Sequence, residues 1–377
     1  MRFPMSIVLV ILCGVSASEA GSGQSPFAVI VHDYSPAPGQ FVSDTRFDNP
    51  VEALGAPNGA GTRDGNAASV VSLGGFGGSI TLGFDHTVED DPLNPFGVDA
   101  IVYGNAIWMN HSPQQHWAEC ATIEISLDVN GNGLPDDPWY LIPGSHIVAR
   151  RPTRTTMTWD DNVDDATYPP TDSSWLPPGA FGVWTTAAYA LPASVFGATV
   201  VVNPASGTSV EAIYGYADYS PTLVLGDLNG DNIVDDPSIA PEEFYTVPDD
   251  PLTVGITPGS GGGDAFDIAW AIDPATGEPA HLRGFDFIRL TTAVDSVSPV
   301  FGEKSAEIDA VADVAPDPFG DADDDDDIDL EDIAWHQNCF GAGASAASPC
   351  ERMDRNGDEQ IDLRDSSAFI ARVTGPK

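Results

Sequence analysis

Short apolar segments separated by glycine, proline, asparagine and aspartate make up the chain from residue 27 to residue 314. Segments such as 79–84, 122–127 and 285–290 have the length of β-strands, and many of their residues alternate in polarity or are β-branched. Residues 273–277, with the sequence Asp-Pro-Ala-Thr-Gly, predict a hairpin turn between two such segments. We therefore predict a mainly β domain over residues 27–314, an antiparallel β-sandwich of the jelly-roll type.

The pattern changes after residue 314. Residues 315–319 have the composition of a linker, and residues 320–377 predict a separate small domain. Two acidic stretches in that domain are each followed by a segment that suits a helix, at 333–340 and 366–373. The predicted fold class is thus a β-domain followed by a small α-helical domain with two calcium loops.

Residues 1–20 have the pattern of a signal peptide. Arg2 precedes an apolar run over residues 7–15, and cleavage is expected after Ala20 or Ala17, where small residues stand at positions −3 and −1 of the cleavage site. The alternative is a buried first element of the fold. We expect the protein to be secreted, in the extracellular space or at the cell surface. No later apolar run approaches about 18 residues, so we expect no membrane span.

The charge balance narrows the choice of partners. The chain has 57 acidic residues against 14 Lys and Arg, which gives a formal net charge of −43. A protein that follows the phosphates of a nucleic acid needs a basic face, so nucleic-acid binding is excluded. The same charge disfavours acidic polysaccharides as ligands unless a bound cation bridges the charges.

The C-terminal domain contains two acidic stretches of matching spacing, which begin at Asp321 and at Asp354. A 12-residue calcium loop supplies oxygen ligands from positions 1, 3, 5, 9 and 12 and a backbone carbonyl from position 7. The residues predicted to bind calcium at these positions are Asp321, Asp323, Asp325, Asp327, Asp329, Asp332, Asp354, Asn356, Asp358, Gln360, Asp362 and Asp365. A solvated acidic run is the alternative for either stretch alone, but the match between the two loops favours calcium as the cofactor.

Tandem calcium loops that carry Asp at position 12 and are each followed by one helix resemble a type I dockerin module, and the resemblance covers residues 320–373. In that family the module docks a secreted protein onto a cohesin domain and commonly gathers polysaccharide-degrading proteins. The resemblance therefore implies a cohesin-like domain or another surface protein as partner. The family's partner-contacting positions 10 and 11 correspond here to Leu330, Glu331, Leu363 and Arg364. Position 6, usually Gly in the family, is Asp326 in the first loop and Glu359 in the second.

The chain has four cysteines, of which Cys13 falls within the predicted signal peptide. An exported protein meets an oxidising environment, so disulfide formation is expected. Cys339 and Cys350 lie close together in the C-terminal domain and are the predicted pair. Cys120 is then predicted to be a buried thiol in a strand.

An 11-residue pattern in the β-domain occurs twice, at 128–138 and at 227–237, with six identical positions. The side chains that could surround Ca²⁺ are Asp128, Asn130, Asn132 and Asp136 in the first loop and Asp227, Asn229, Asp231 and Asp235 in the second. Neither loop has a carboxylate at position 12, where Trp139 and Ser238 stand. A solvated turn of Asx and Gly residues is therefore the alternative, and the sequence leaves both interpretations open.

A succession of motifs in the β-domain resembles a family of secreted cell-surface proteins with a galactose-binding-like, discoidin-type jelly roll. The motifs lie at residues 51–58, 70–84, 100–105, 128–140, 266–273, 284–287 and 307–311, and the resemblance covers roughly residues 28–315. Most members of that family have no assigned activity, and some sit beside cobalamin-uptake genes. The resemblance implies the jelly-roll fold and, as one alternative function, a surface component of cobalamin capture.

No set of catalytic residues stands out in the sequence. His111, His116 and Glu119 have a spacing that would suit a metal site better on a helix, and Pro113 argues against a helix there. Carboxylates are too numerous to single out an acid–base pair.

Tryptophans in polar loops are candidates for stacking on sugar rings. The candidates are Trp108, Trp117, Trp159 and Trp175, with burial in the core as the alternative. Two classes of function remain. The first is a non-catalytic, calcium-stabilised surface protein that binds a neutral glycan or another polar surface ligand. The second is a secreted glycoside hydrolase, or an accessory protein in polysaccharide breakdown.

Overall fold

The computed structural model describes most of the β-domain and part of the C-terminal domain. The described residues are 24–37, 39–42, 44–66, 68–92, 94–113, 115–146, 157–160, 183–186, 191, 213–253, 255–298, 302–314, 330–341, 350, 353 and 360–370. The predicted signal peptide at 1–20, the linker at 315–319 and residues 321–329 of the first C-terminal loop lie outside them. Within them the chain is mainly β, and its sheets are antiparallel.

The secondary-structure elements alternate with many short turns, as the Gly- and Pro-rich sequence predicts. The described strands are β1 (Ile30–Ser35), β2 (Val71–Ser72), β3 (Ser79–Glu89), β4 (Ala100–Gly104), β5 (Ile107–Trp108), β6 (His116–Trp117), β7 (Ala121–Ser126), β8 (Tyr140–Ile142), β9 (Met157–Asp160), β10 (Val183–Thr186), β11 (Tyr216–Ala217), β12 (Asp264–Phe266), β13 (Gly284–Thr292), β14 (Val297–Ser298), β15 (Gly302–Glu303) and β16 (Glu307–Asp313). The described helices are α1 (Pro241–Phe244), α2 (Leu330–Cys339) and α3 (Leu363–Ile370), and 3₁₀ turns lie at Pro50–Ala53, Pro95–Gly97, Met109–His111 and Ile268–Trp270.

Two antiparallel sheets form the body of the β-domain. The larger sheet has the strand order β1-β3-β13-β7-β11, and β8 also pairs with β7. The smaller sheet has the order β12-β4-β16-β2. In the larger sheet Ile288 of β13 lies opposite Leu82 of β3 on one side and Ile125 of β7 on the other. This register aligns apolar side chains on one face of three neighbouring strands.

The main hydrophobic core contains side chains of both sheets. Leu82 and Leu290 from the larger sheet and Val102 and Ile308 from the smaller sheet are fully buried in one cluster. A strand that alternates in polarity buries one face, and two such faces placed together exclude water from a single core. The arrangement is consistent with a β-sandwich.

Strand β16 is buried at every position. Ile308 and Val311 pack in the main core, whereas Ala310 and Ala312 belong to a second cluster that includes Phe244. A register shift between residues 308 and 310 accompanies this change of partners. Leu223, Phe244 and Tyr245, from the segment between β11 and β12, belong to this second cluster, so that segment packs on the outer face of the smaller sheet.

The described part of the C-terminal domain has a small core of its own. Cys339, Met353, Ile361 and Phe369 are buried together, and a disulfide joins Cys339 to Cys350. Helices α2 and α3 each begin three residues before the segments predicted from sequence, at Leu330 and Leu363. The reason is that positions 10 to 12 of each loop form the first helical turn, where an acidic side chain interacts favourably with the helix dipole. Among the described residues, no helix has both the length and the apolar character that a bilayer crossing requires.

Candidate ligand pocket and calcium loops

An open pocket lies on the β-domain beside the hairpin of β5 and β6. Its walls come from that hairpin, from residues 213–221, from residues 249–256 and from the beginning of β12. The lining side chains that bear on its chemistry are Trp108, His116, Tyr214, Tyr219, Asp249, Asp250 and Asp264. The pocket therefore combines aromatic rings with carboxylates, and Asp249 and Asp264 on its walls are nearly buried.

His116 and Tyr219 form one stacked aromatic pair in the wall. Their ring centroids lie 4.2 Å apart with an interplanar angle of 10°. The ring nitrogens of His116 each lie 2.6 Å from a backbone carbonyl oxygen, Nδ1 from that of Tyr219 and Nε2 from that of Pro113. Burial lowers the pKa of His116, and the two carbonyl acceptors oppose that effect. These contacts hold the imidazole ring in place, so the ring forms a fixed part of the pocket wall.

Trp108 lies opposite His116 in the β5–β6 pairing and also lines the pocket. Its indole nitrogen is buried and has no hydrogen-bond acceptor among the described residues. An indole N–H normally finds an acceptor when it is buried. A ligand oxygen near this wall would supply one after a small adjustment of the side chain.

Two pocket carboxylates are held by donors from the chain. Asp264 accepts hydrogen bonds from the backbone N–H groups of Tyr219 at 2.7 Å and of Ser220 at 3.0 Å. Asp249 accepts from the backbone N–H of Thr257 and from the hydroxyl of Ser260. Burial raises the pKa of Asp264 to about 8 and that of Asp249 to about 6, although these donors oppose the rise. Both groups therefore titrate near neutral pH.

Of the four tryptophans predicted to stack on sugar rings, Trp108 is the one that the structure places in the pocket lining. Of the two whose side chains are described, Trp108 lines the pocket and Trp117 packs under the Lys304 ammonium, whose Nζ is 5.8 Å from the ring centroid. Trp159 lies opposite Trp184 in the backbone register of β9 and β10, and Trp175 lies outside the described residues. His111, which shares the His-rich motif with His116, lies on an exposed 3₁₀ turn and does not line the pocket.

The first repeated loop is organised by its position-1 carboxylate. Asp128 accepts hydrogen bonds from the backbone N–H of Asn132 at 3.1 Å and of Gly133 at 2.6 Å. Asn130 donates its amide to Asp136 at 3.0 Å. This loop is largely exposed.

The second repeated loop has the same local geometry. Asp227 is fully buried and accepts from the backbone N–H groups of Gly230 at 2.9 Å and Asn232 at 2.8 Å. Asn229 donates its amide to Asp235 at 3.1 Å. Asn232 has φ 66° and Gly133, at the same loop position, has φ 71°. Both loops thus share a left-handed residue at position 6, which is where a calcium loop makes its sharp turn.

The described part of the C-terminal loops consists of the ends that lead into α2 and α3. Asp332 and Asp365, at position 12, are fully buried, and Asp365 accepts from the backbone N–H of Asp362 at 2.9 Å. Leu330 and Leu363, at position 10, are 74% and 73% exposed. Gln360 is also described. The remaining predicted ligands lie outside the described residues, namely Asp321, Asp323, Asp325, Asp327, Asp329, Asp354, Asn356 and Asp358.

One acidic cluster in the structure was not anticipated from the sequence. Ligand atoms of Asp90, Asp99 and Asp267 lie within 4.8 Å of one another, the one such group of three His, Cys, Asp or Glu residues in the described parts of the chain. Asp99 is buried and accepts from the backbone N–H groups of Asp91 and Ile268. Burial, with repulsion from Asp90 and Asp267, raises the pKa of Asp99 to about 8. No sequence motif marks these three among 57 acidic residues.

Comparison of the sequence with protein-family models finds no matching family, and comparison with curated proteins finds no matching protein. The family resemblances of the motifs therefore stay predictions. The physical basis for a function is the geometry of the pocket and of the loops.

Proposed function

We propose that the protein is a secreted, calcium-stabilised surface protein that binds a neutral polar ligand, such as a glycan, in the pocket beside β5 and β6. The observation that carries this proposal is that aromatic rings and carboxylate acceptors line the same pocket. Sugar rings stack on aromatic faces through their C–H groups, and their hydroxyls donate to carboxylates. Asp250 is only partly buried and is the acceptor most open to such a hydroxyl.

Calcium is proposed for the two repeated loops because their backbones already hold the position-1 carboxylates. Asn130 and Asn229 point amide N–H groups at the position-9 carboxylates Asp136 and Asp235. A rotation of each amide by about 180° would present its oxygen instead, as a hard cation requires. The expected result of binding is a more rigid β-domain.

Attachment to a partner is proposed for the C-terminal domain. Its support is the exposure of Leu330 and Leu363, since solvent-facing leucines at matched loop positions suit contact with another protein. The two-sheet core likewise supports the galactose-binding-like jelly roll as the fold of the β-domain. The dockerin resemblance implies that the partner is a cohesin-like domain.

Isothermal titration of the full mature chain with neutral oligosaccharides tests the binding function. Trp108→Ala should weaken binding by about tenfold, which corresponds to the loss of one stacked ring. Phe96→Ala is the matched control, because Phe96 is 55% exposed and does not line the pocket. Equal affinities of both variants and the unsubstituted protein would reject this pocket as the binding site.

A second candidate function is glycoside hydrolysis, and one observation favours it. Two pocket carboxylates, Asp249 and Asp264, have raised pKa values, and a general acid needs a carboxyl group that stays protonated near neutral pH. Release of reducing ends from a glycan, abolished in Asp264→Asn, would establish the hydrolase. Binding without release supports the non-catalytic function.

A further inference from the structure

Three acidic side chains are buried in one region of the β-domain, and none of them lines the described pocket. Glu119 precedes β7, Asp218 follows β11 and Glu307 begins β16. Their exposed fractions are 4%, 2% and 6%. Carboxylates are seldom buried to this degree unless a partner compensates the charge.

Some of the oxygens in this cluster are satisfied by the chain. Asp218 accepts from the backbone N–H groups of Asn105 at 2.7 Å and Glu307 at 3.0 Å, one on each oxygen. Oε2 of Glu119 accepts from the backbone N–H of Ser305 at 2.8 Å. Oε2 of Glu307 accepts from the side-chain amide of Asn105 at 2.6 Å.

Three other oxygens are left without a donor. Oε1 of Glu119, Oε1 of Glu307 and Oε1 of Gln40 are buried and have no hydrogen-bond partner among the described residues. Gln40 is 3% exposed, and its amide nitrogen contacts Oε2 of Glu119, so this side chain reaches into the cluster. A buried acceptor without a donor is unfavourable, and it is more unfavourable when it is charged. Three together call for a partner that brings positive charge.

Lys304 is the cationic group that interacts with this cluster, and it does not balance the negative charge of the buried carboxylates. Lys304 interacts with Glu119, but burial lowers the pKa of Lys304 to about 8. Burial and repulsion from Glu307 raise the pKa of Glu119, and burial and repulsion from Asp218 raise the pKa of Glu307 to about 8. A proton shared by the two glutamates would relieve their repulsion, but it would leave the Gln40 oxygen without a donor.

We propose that a hard cation, Ca²⁺, binds between Glu119, Glu307 and Gln40 through their three unpartnered Oε1 atoms. Carboxylate and amide oxygens are the ligands that Ca²⁺ prefers, and the cluster supplies both kinds. The ion compensates charge that Lys304 alone does not. It also ties the segment around Gln40 to β16 and to the beginning of β7, so it acts as an internal cross-link of the β-domain. This site is separate from the repeated loops and from the C-terminal loops.

The test compares bound calcium in the full mature chain and two variants. Each protein is stripped with chelator, equilibrated with Ca²⁺ alone and desalted, and the ions per chain are counted by atomic emission. Glu307→Gln should hold one ion fewer than the unsubstituted protein. Glu243→Gln is the matched control, because Glu243 is exposed on α1 and should leave the count unchanged. Equal counts in Glu307→Gln and the unsubstituted protein overturn the proposal.

A second measurement needs no substitution and decides the matter if Glu307→Gln does not fold. Crystals of the unsubstituted protein grown with Ca²⁺ should show an anomalous difference peak bounded by Glu119 and Glu307. Calcium peaks in the repeated loops with none between these two glutamates would show that a proton or water occupies the cluster, and would overturn the proposal.

Discussion

Asn232 and Thr62 are joined by three hydrogen bonds across 170 residues of sequence. The side-chain oxygen of Asn232 accepts from the backbone N–H of Thr62 at 2.7 Å, and its amide donates to the Thr62 hydroxyl at 3.0 Å. The carbonyl oxygen of Thr62 accepts from the backbone N–H of Trp108 at 2.8 Å. Thr62 therefore connects the second repeated loop directly to the pocket wall.

This connection predicts that calcium in the second loop strengthens ligand binding. Asp227→Asn removes the position-1 carboxylate and should raise the ligand dissociation constant about fivefold in the presence of Ca²⁺, a modest coupling between two sites. Isothermal titration measures it. Asp128→Asn is the matched control, because the first loop makes no described contact with Thr62 and should leave affinity unchanged. An equal loss in both variants would contradict the connection through Thr62.

The same pair of residues predicts an effect on stability. Asn232→Ala removes all three hydrogen bonds to Thr62 and places alanine at φ 66°, so the free energy of unfolding should fall by about 2 kcal/mol. Urea denaturation measures the change. Asn132→Ala in the first loop loses only local contacts, with Leu134 and Asp136, and should cost about 0.5 kcal/mol. A similar loss in the two variants would argue against the long-range role of Asn232.

The cysteines give a prediction that needs no substitution. Alkylation of the unfolded, unreduced protein should label Cys120 alone, because Cys339 and Cys350 are bonded. Alkylation of the folded protein should label none of them, because Cys120 is fully buried and burial raises its thiol pKa. Mass spectrometry of the peptides reports both results. Label on Cys339 or Cys350 without reductant would contradict the pairing.

The C-terminal helices should depend on calcium. The buried position-12 carboxylates Asp332 and Asp365 repel their loop neighbours without a cation, so chelator should lower the helical far-UV circular dichroism signal of the full chain, and added Ca²⁺ should restore it. Asp365→Asn should require a higher Ca²⁺ concentration for recovery. Glu331→Gln, at an exposed position of α2, should behave like the unsubstituted protein. A helical signal that is unchanged in chelator would exclude this dependence.

His86 predicts a pH effect on stability. Its Nδ1 lies 2.9 Å from Asp85 and its Nε2 lies 2.8 Å from Asp313. Burial works against the charged imidazole, but the two carboxylates outweigh it and raise the pKa of His86 from 6.5 to about 9. The interaction of charged His86 with these two carboxylates therefore contributes its full stabilisation below pH 6.5. This contribution is lost as the pH rises through about 9.

The expected loss in the free energy of unfolding is about 1–3 kcal/mol between those two pH values. Chemical denaturation across this range measures it. His86→Gln should flatten the profile, and His111→Gln, on an exposed turn, should leave it unchanged. A rise in stability over the same interval would contradict the direction of the pKa shift.

The strands could be predicted because their signal is local. Alternation within 79–84 and 285–290 indicates one buried face, and the structure forms β3 and β13 there. The mainly β, antiparallel character of the β-domain is confirmed by the sheets. The extra length of β3, which continues to Glu89, comes from pairing with the beginning of β13. That contact joins segments about 200 residues apart, and no local pattern reports it.

The pocket could not be predicted for the same reason. Asp249 and Asp264 are two of 57 acidic residues, and only the fold brings them beside Trp108. The spacing from His111 and His116 drew attention to Glu119, but nothing in the sequence indicated that Gln40 and Ser305 would be its partners. Its burial follows from the meeting of β7 with the segment before β16. The repeated loops were visible in sequence because all their predicted calcium ligands lie within a few residues of one another.

The central position of β13 and β16 sets the order in which the β-domain can assemble. β13 lies between β3 and β7, and β16 lies between β4 and β2, yet both strands come from residues 284–313. A chain that is still being synthesised, or that is truncated before residue 284, lacks the middle strand of both sheets and leaves their apolar faces open to water. Folding must therefore wait for nearly the whole β-domain, and pairing over such distances is slow.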